Sequence, residues 1–289
     1  MKNASYALCI GALIGATGGA ALAHTRTASS AVSSPALPSS VDEWYAQLQA
    51  SGARPEAESK AVLVNALATQ NALRRGVIER YAGEANREAR SLVREALVRL
   101  PGAGLTQDGL RLARAQNPVS RAAGFELLAG IEPTAVALAE AKRSLGSEQD
   151  HDALAGALMA LRPTILPTAA EAKDFVERLR PLTMHNAPLV RAHAIQKIVE
   201  WSRGRDAEEA VVRGGLSDPE SLVRQAAVGA VMLGQLQSEA LKDGLVAILR
   251  DPAEEALTKA GALQALERFT LTDAEHATYI ASRRRLESM

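Results

Sequence analysis

Ser217-Asp218-Pro219-Glu220-Ser221-Leu222-Val223-Arg224-Gln225-Ala226-Ala227-Val228 is the stretch that decides the fold. Its Asp-Pro pair predicts a helix start, with Asp218 as the cap and Pro219 in the first turn, where no N–H donor is needed. Leu222, Val223, Ala226, Ala227, Ala230 and Leu233 then recur at near 3.6-residue spacing and mark one apolar face. Gly234 is expected to end that helix, and Leu241, Leu245 and Leu249 carry the face of the next. The small alanines let neighbouring helices approach closely. An amphipathic hairpin of this kind cannot bury its face alone, so it requires stacked neighbours.

The neighbours are visible as copies. Asn186-Ala187-Pro188-Leu189-Val190-Arg191-Ala192-His193-Ala194-Ile195 precedes the decisive stretch, and Asp251-Pro252-Ala253-Glu254-Glu255-Ala256-Leu257-Thr258-Lys259-Ala260-Gly261-Ala262-Leu263 follows it. Arg191 and Arg224 lie 33 residues apart, as do Pro219 and Pro252, which is close to one helical hairpin. Pro118-Val119-Ser120-Arg121-Ala122-Ala123 is a looser copy. The 70 residues from Arg121 to Arg191 leave room for a degenerate unit at Asp152-Ala153-Leu154-Ala155-Gly156-Ala157-Leu158. Leu92-Val93-Arg94 repeats the tripeptide once more, on a helix whose other features are ordinary.

This pattern resembles the HEAT-repeat superfamily, especially its short, Ala-rich class also seen in phycobilin lyases. The resemblance covers roughly residues 84–270 and is most specific from 218 to 227. It implies an all-α chain wound as a right-handed α–α superhelix, a solenoid of helical hairpins. In that family the Asp or Asn before such a helix and the Arg within it form a ladder between repeats. By resemblance Asp218 and Arg224 take those roles, with Asn117 and Arg121, and Asn186 and Arg191, as weaker versions. Asp251 departs from the pattern, because Leu257 stands at the matching Arg position and only Lys259 is near. Sharing the repeat does not imply bilin attachment, since fold does not fix function.

Composition agrees with helix and narrows the chemistry. The chain has 289 residues, 33 Lys+Arg against 33 Asp+Glu, 47% hydrophobic but only 3% aromatic residues, and one Cys. Ala and Leu lose little entropy in helices, and no convincing strand alternation appears after Val41. Balanced charge and few aromatic platforms argue against nucleic-acid binding. At the N-terminus, Lys2, the apolar run Tyr6 to Ala16 and Ala21-Leu22-Ala23 read as a secretory signal cleaved before His24. The rival is an uncleaved anchor, because residues 6 to 23 carry no charge and approach the length of a membrane span. Cleavage removes Cys9, leaving a chain held by packing without disulfides. The sequence thus divides into a signal or anchor at 1–23 and a Ser/Ala/Pro-rich tether at 24–40. An N-terminal helical cap at 41–83, repeats at 84–270 and a C-terminal capping helix at 271–289 follow. The expected location is periplasmic or secreted, with membrane contact only through the N-terminal segment.

No catalytic set emerges. The five histidines, His24, His151, His185, His193 and His276, form no i, i+4 ligand pair. There is no Gly-x-Ser-x-Gly elbow, no phosphate-binding loop and no dinucleotide motif. Glu208-Glu209 and Glu254-Glu255 are expected in first turns of helices, where the dipole favours them. The expectation is therefore a non-enzymatic protein without cofactor, binding a protein partner along one row of helices. Gln196, Lys197, Glu200, Gln225 and Met232 are candidates for that surface. Trp201 is either an interface anchor or a filler of the core between repeats. Two other readings remain: a chaperone for a secreted client, resembling membrane-tethered lipase foldases but lacking their Arg and Phe-Asp-Tyr motif, and an enzyme or cofactor-handling protein on the HEAT scaffold.

Overall fold

The computed structural model describes residues 37–50, 57–100, 104–162, 168–202 and 208–288. The signal or anchor and His24 lie outside them. Fifteen α-helices and no strand occur among the described residues, and no helix there is long and apolar enough to cross a membrane. The chain divides into two compact units at Gly102 and Ala103.

The first unit contains α1 (Val41–Ala50), α2 (Ala57–Thr69), α3 (Asn71–Gly83) and α4 (Arg87–Leu97). From the sequence, Val41 to Ala50 and Pro55 to Tyr81 are expected as helices, with room for one long helix in the second stretch. The chain instead breaks at Gln70, whose side chain donates to the Pro38 carbonyl at 3.1 Å. Trp44 and Tyr45 close the first hairpin, as their position near its start suggests. Trp44 is fully buried and its indole N–H donates to the Leu63 carbonyl at 3.1 Å, while the Arg80 guanidinium lies 4.0 Å from the centre of the Tyr45 ring. The end of the Ser/Ala/Pro-rich stretch belongs to this unit: Pro38 is buried, and Ser40 Oγ accepts from the Glu43 N–H at the start of α1.

The second unit is an α-solenoid of five hairpins and a last helix. The hairpins pair α5 (Gly104–Ala113) with α6 (Pro118–Gly130), α7 (Ala135–Ser144) with α8 (His151–Ala160), and α9 (Ala169–Leu179) with α10 (Pro188–Ser202). They continue with α11 (Glu209–Leu216) and α12 (Ser221–Gly234), then α13 (Glu239–Arg250) and α14 (Ala256–Leu266), and end at α15 (Asp273–Glu287). The even-numbered helices α6 to α14 stack on one another in order as an inner row. Gly109 and Gly124 explain the intimacy of the first pair. A Cβ on Gly124 would meet backbone atoms of Ala113, Leu112 and Gly109, the last two at 2.7 and 2.8 Å.

Two continuous cores hold the stack. One joins Leu158, Phe175, Ile198 and Trp201, and the other joins Val223, Val231, Leu245 and Leu266. The helix starts differ in detail from expectation. Asp218 does not cap α12, because Glu220 is the residue before that helix and Pro219 lies in the turn. Gly234 is the last residue of α12, and it is Gln235 that takes the left-handed conformation, at φ 52°. Its N–H reaches the Met232 carbonyl and the Leu236 N–H reaches the Val231 carbonyl, closing the helix end.

Candidate interaction surface

The register of the inner row is set by one arginine position. In α6, α10 and α12 the fourth residue is Arg121, Arg191 and Arg224. Each turns one Nη back to two carbonyls that precede its helix: Ala115 and Gln116, His185 and Asn186, Asp218 and Pro219. The rest of each guanidinium crosses to a carboxylate of the next hairpin. Arg121 grips Glu148 at 2.7 and 2.9 Å, Arg191 grips Asp218 at 2.8 Å through two nitrogens, and Arg224 pairs with Glu254. The first two are forked contacts of the kind guanidinium makes best with carboxylate, whereas Arg224 reaches Glu254 through Nε alone. Asn117 caps α6 through the Val119 N–H, and Asn186 contributes its backbone carbonyl.

The acids are held charged. For Asp218 and Glu254 burial is the largest influence and acts to raise the pKa. It is outweighed by the combined hydrogen bonds and charge of their partners, Arg191 with the Glu220 N–H and Arg224 with Ser221 and the Glu255 N–H, so both lie below their ordinary values. For Glu148 the hydrogen bond from Arg121 is the largest influence and lowers it against the effect of burial.

The ladder corrects two sequence assignments. Arg94 is not a repeat arginine. In α4 the fourth residue is Arg90, buried, with Nη1 2.8 Å from the Glu84 carbonyl, and Arg94 lies one turn later. Lys259 and not Leu257 occupies the arginine position of α14, because that helix begins after Glu255. Glu148 and Glu254 were missed as acceptors; their signal is an acid two or three residues before an inner helix. Glu254 therefore lies ahead of its helix and not in its first turn.

Since the ladder keeps neighbouring helices in register, equivalent positions form rows. The ninth residues of α10, α12 and α14 are Gln196, Gly229 and Gln264. Gln196 and Gly229 are half-buried and Gln264 is exposed. Gln225, Met232 and Glu200 are half-buried beside them, and Leu233 and Leu257 are 53% and 49% exposed. Arg268 closes this face by donating to the Met232 carbonyl at 3.3 Å. In α6 and α8, by contrast, Ala122–Leu128 and Ala153–Leu158 are buried throughout. Exposed side chains in the later part of the inner row are thus concentrated on α12 and α14, while Gln196 and Glu200 of α10 are half-buried.

Two candidates leave the surface. Trp201 is 3% exposed, its indole N–H donates to the Leu161 carbonyl at 3.2 Å, and its ring lies 4.2 Å from that of Phe175; it fills the core. Lys197 is 8% exposed and its ammonium is held 2.6 Å from Glu200. Among the histidines, His185 Nδ1 accepts from the Ala187 N–H at the start of α10, His193 is half-buried, and His151 and His276 are exposed on separate helices. No group of three His, Cys, Asp or Glu is placed to hold a metal ion among the described residues.

Comparison with known proteins places this geometry. Residues 174–267 match the family model for HEAT repeats. The X-ray structure of YibA from Escherichia coli is similar, with a TM-score of 0.55, 17% sequence identity, and coverage of 73% of this chain and 75% of that one. No curated protein matches the chain. The fold is a HEAT-like α-solenoid, an architecture whose extended surfaces commonly bind proteins.

Proposed function

We propose that the protein is exported and acts as a protein-binding adaptor or scaffold in the bacterial cell envelope, without catalysis of its own. The observation that carries this reading is the face formed by half-buried positions of α10 and exposed positions of α12 and α14. Amides at Gln196, Gln225 and Gln264 alternate there with apolar Met232, Leu233 and Leu257 on helices fixed by the arginine ladder. A rigid row with an apolar centre and polar neighbours binds a protein surface with little ordering cost. Export rests on the N-terminal segment, where Lys2, the apolar run and Ala21-Leu22-Ala23 form the pattern of a cleaved signal.

The test is a crosslinking pull-down from the native cell envelope with an affinity tag after Met289, combined with N-terminal sequencing. One dominant protein partner and a chain beginning at His24 are expected. An intact Met1 in the membrane fraction would assign the segment as an anchor, and recovery outside the envelope would overturn export. Transient recovery of a secreted client would favour a chaperone. A stoichiometric metal or small molecule with no protein partner would overturn the adaptor reading.

A further inference from the structure

A polar cleft lies where the C-terminal ends of α5 and α7 meet the first turn of α6. Its volume is about 280 Å³, and Arg114, Arg121, Arg143, Ser144, Ser147 and Glu148 are among the residues that line it. Arg121 is committed to the ladder, with Nε, Nη1 and Nη2 all bonded. Arg114 and Arg143 are not. They share a single carboxylate: Glu140, only 4% exposed, accepts from Arg114 Nε at 2.8 Å and from an Nη of Arg143. Neither guanidinium makes another side-chain hydrogen bond among the described residues, and their side chains are 56% and 60% exposed. A guanidinium carries five N–H donors, so most of those on this pair stay open to the cleft and to water.

The charge count points the same way. Arg121 faces Glu148 and feels the charge of Asp150, whereas Arg114 and Arg143 share the single charge of Glu140, which leaves one positive charge over on that pair. Burial acts to raise the Glu140 pKa, yet the hydrogen bonds from Arg143 and Arg114 overcome it, so Glu140 stays ionised and keeps both arginines in place. Two arginines positioned by a buried acid form a preorganised fork for a second oxyanion. The cleft falls slightly below the usual size of a small-molecule pocket, and its arginines are more than half exposed, which suits a side chain arriving from outside.

We propose that this cleft receives a carboxylate side chain from an acidic segment of a protein partner, held between Arg114 and Arg143. The inference rests on the protein-binding reading and adds the chemistry of the partner. It is tested on the full chain by fluorescence anisotropy with an end-blocked, glutamate-rich peptide at low salt. The same peptide with glutamine for glutamate is the control, and inorganic phosphate the competitor. The glutamate peptide is expected to bind and the glutamine peptide not to. Arg114→Gln with Arg143→Gln, which leaves the Arg121–Glu148 pair intact, should weaken binding at least about tenfold. If circular dichroism shows that the double variant is unfolded, Arg143→Gln alone is read, since Glu140 then keeps Arg114. Equal binding of both peptides, or binding unchanged by the variants, would overturn the proposal. Displacement by phosphate at concentrations equal to the peptide would also overturn it and assign the cleft to a small oxyanion. Capture of a partner in the envelope while the peptide fails overturns the cleft alone; peptide binding with no partner captured overturns the wider reading.

Discussion

Arg224 shows how a single residue fixes a repeat. Its guanidinium closes its own helix start through the carbonyls of Asp218 and Pro219 and ties that helix to the fully buried Glu254. Arg224→Ala would leave Glu254 with only Ser221 Oγ and the Glu255 N–H, and should cost about 3 kcal/mol. Arg94→Ala, on a half-buried side chain away from the ladder, should stay within about 0.5 kcal/mol. Urea denaturation of the two variants separates them. The acids give a pH dependence of definite sign. Asp218, Glu148 and Glu254 have pKa values below the ordinary 3.8 and 4.5, so their contribution is complete above those values and is lost as pH falls through the lowered ones. The thermal midpoint should therefore drop steadily below about pH 4.5, and less steeply in Glu254→Gln. Asp218 and the arginines were legible in the sequence because the motif repeats, whereas Glu254 was hidden because its role depends on where α14 begins. Trp201 was ambiguous for a related reason: helical spacing marks a face, but only the packing against Phe175 and the Leu161 carbonyl decides which face is covered. Trp201→Ala should accordingly lower stability by about 3 kcal/mol, read by denaturation, and not act selectively on partner binding.

At the scale of elements, close approach governs which helices pair. Gly124→Ala forces a Cβ into the backbone of α5, where no flexible side chain can yield, and should destabilise the second unit by several kcal/mol or prevent α5–α6 pairing. Gly229→Ala is the opposite case. Nothing lies within 4 Å of a Cβ there, so the gain in helix propensity should stabilise by up to about 1 kcal/mol. Thermal unfolding of both variants by circular dichroism checks the pair. The 33-residue spacing made hairpins legible from α9 onward, where α10 and α12 carry the repeat arginine at the same position. It failed at Leu92-Val93-Arg94, since a tripeptide match ignores where the helix starts. It was weak at α8, whose fourth residue is Leu154 and whose Asp150 cap is the surviving trace of the motif.

For the whole molecule, the division into two units means that binding is best assigned within the repeat unit, where the helices are tied in register. Composition predicted an all-α chain; it could not place the exposed surface, because exposure depends on how completely each inner helix is covered. Glu126 and Gln264 occupy the same register position on α6 and α14, yet one is 7% exposed and the other lies open. The central claim is that the α10–α12–α14 face engages a protein. Its most direct test introduces a photo-crosslinking amino acid singly at Gln225, at Gln264 and at exposed Ala247 on α13, in cells of the native host. The account predicts one common protein adduct from Gln225 and Gln264 and none from Ala247. An adduct from Ala247 alone, or no adduct from any position, would contradict it.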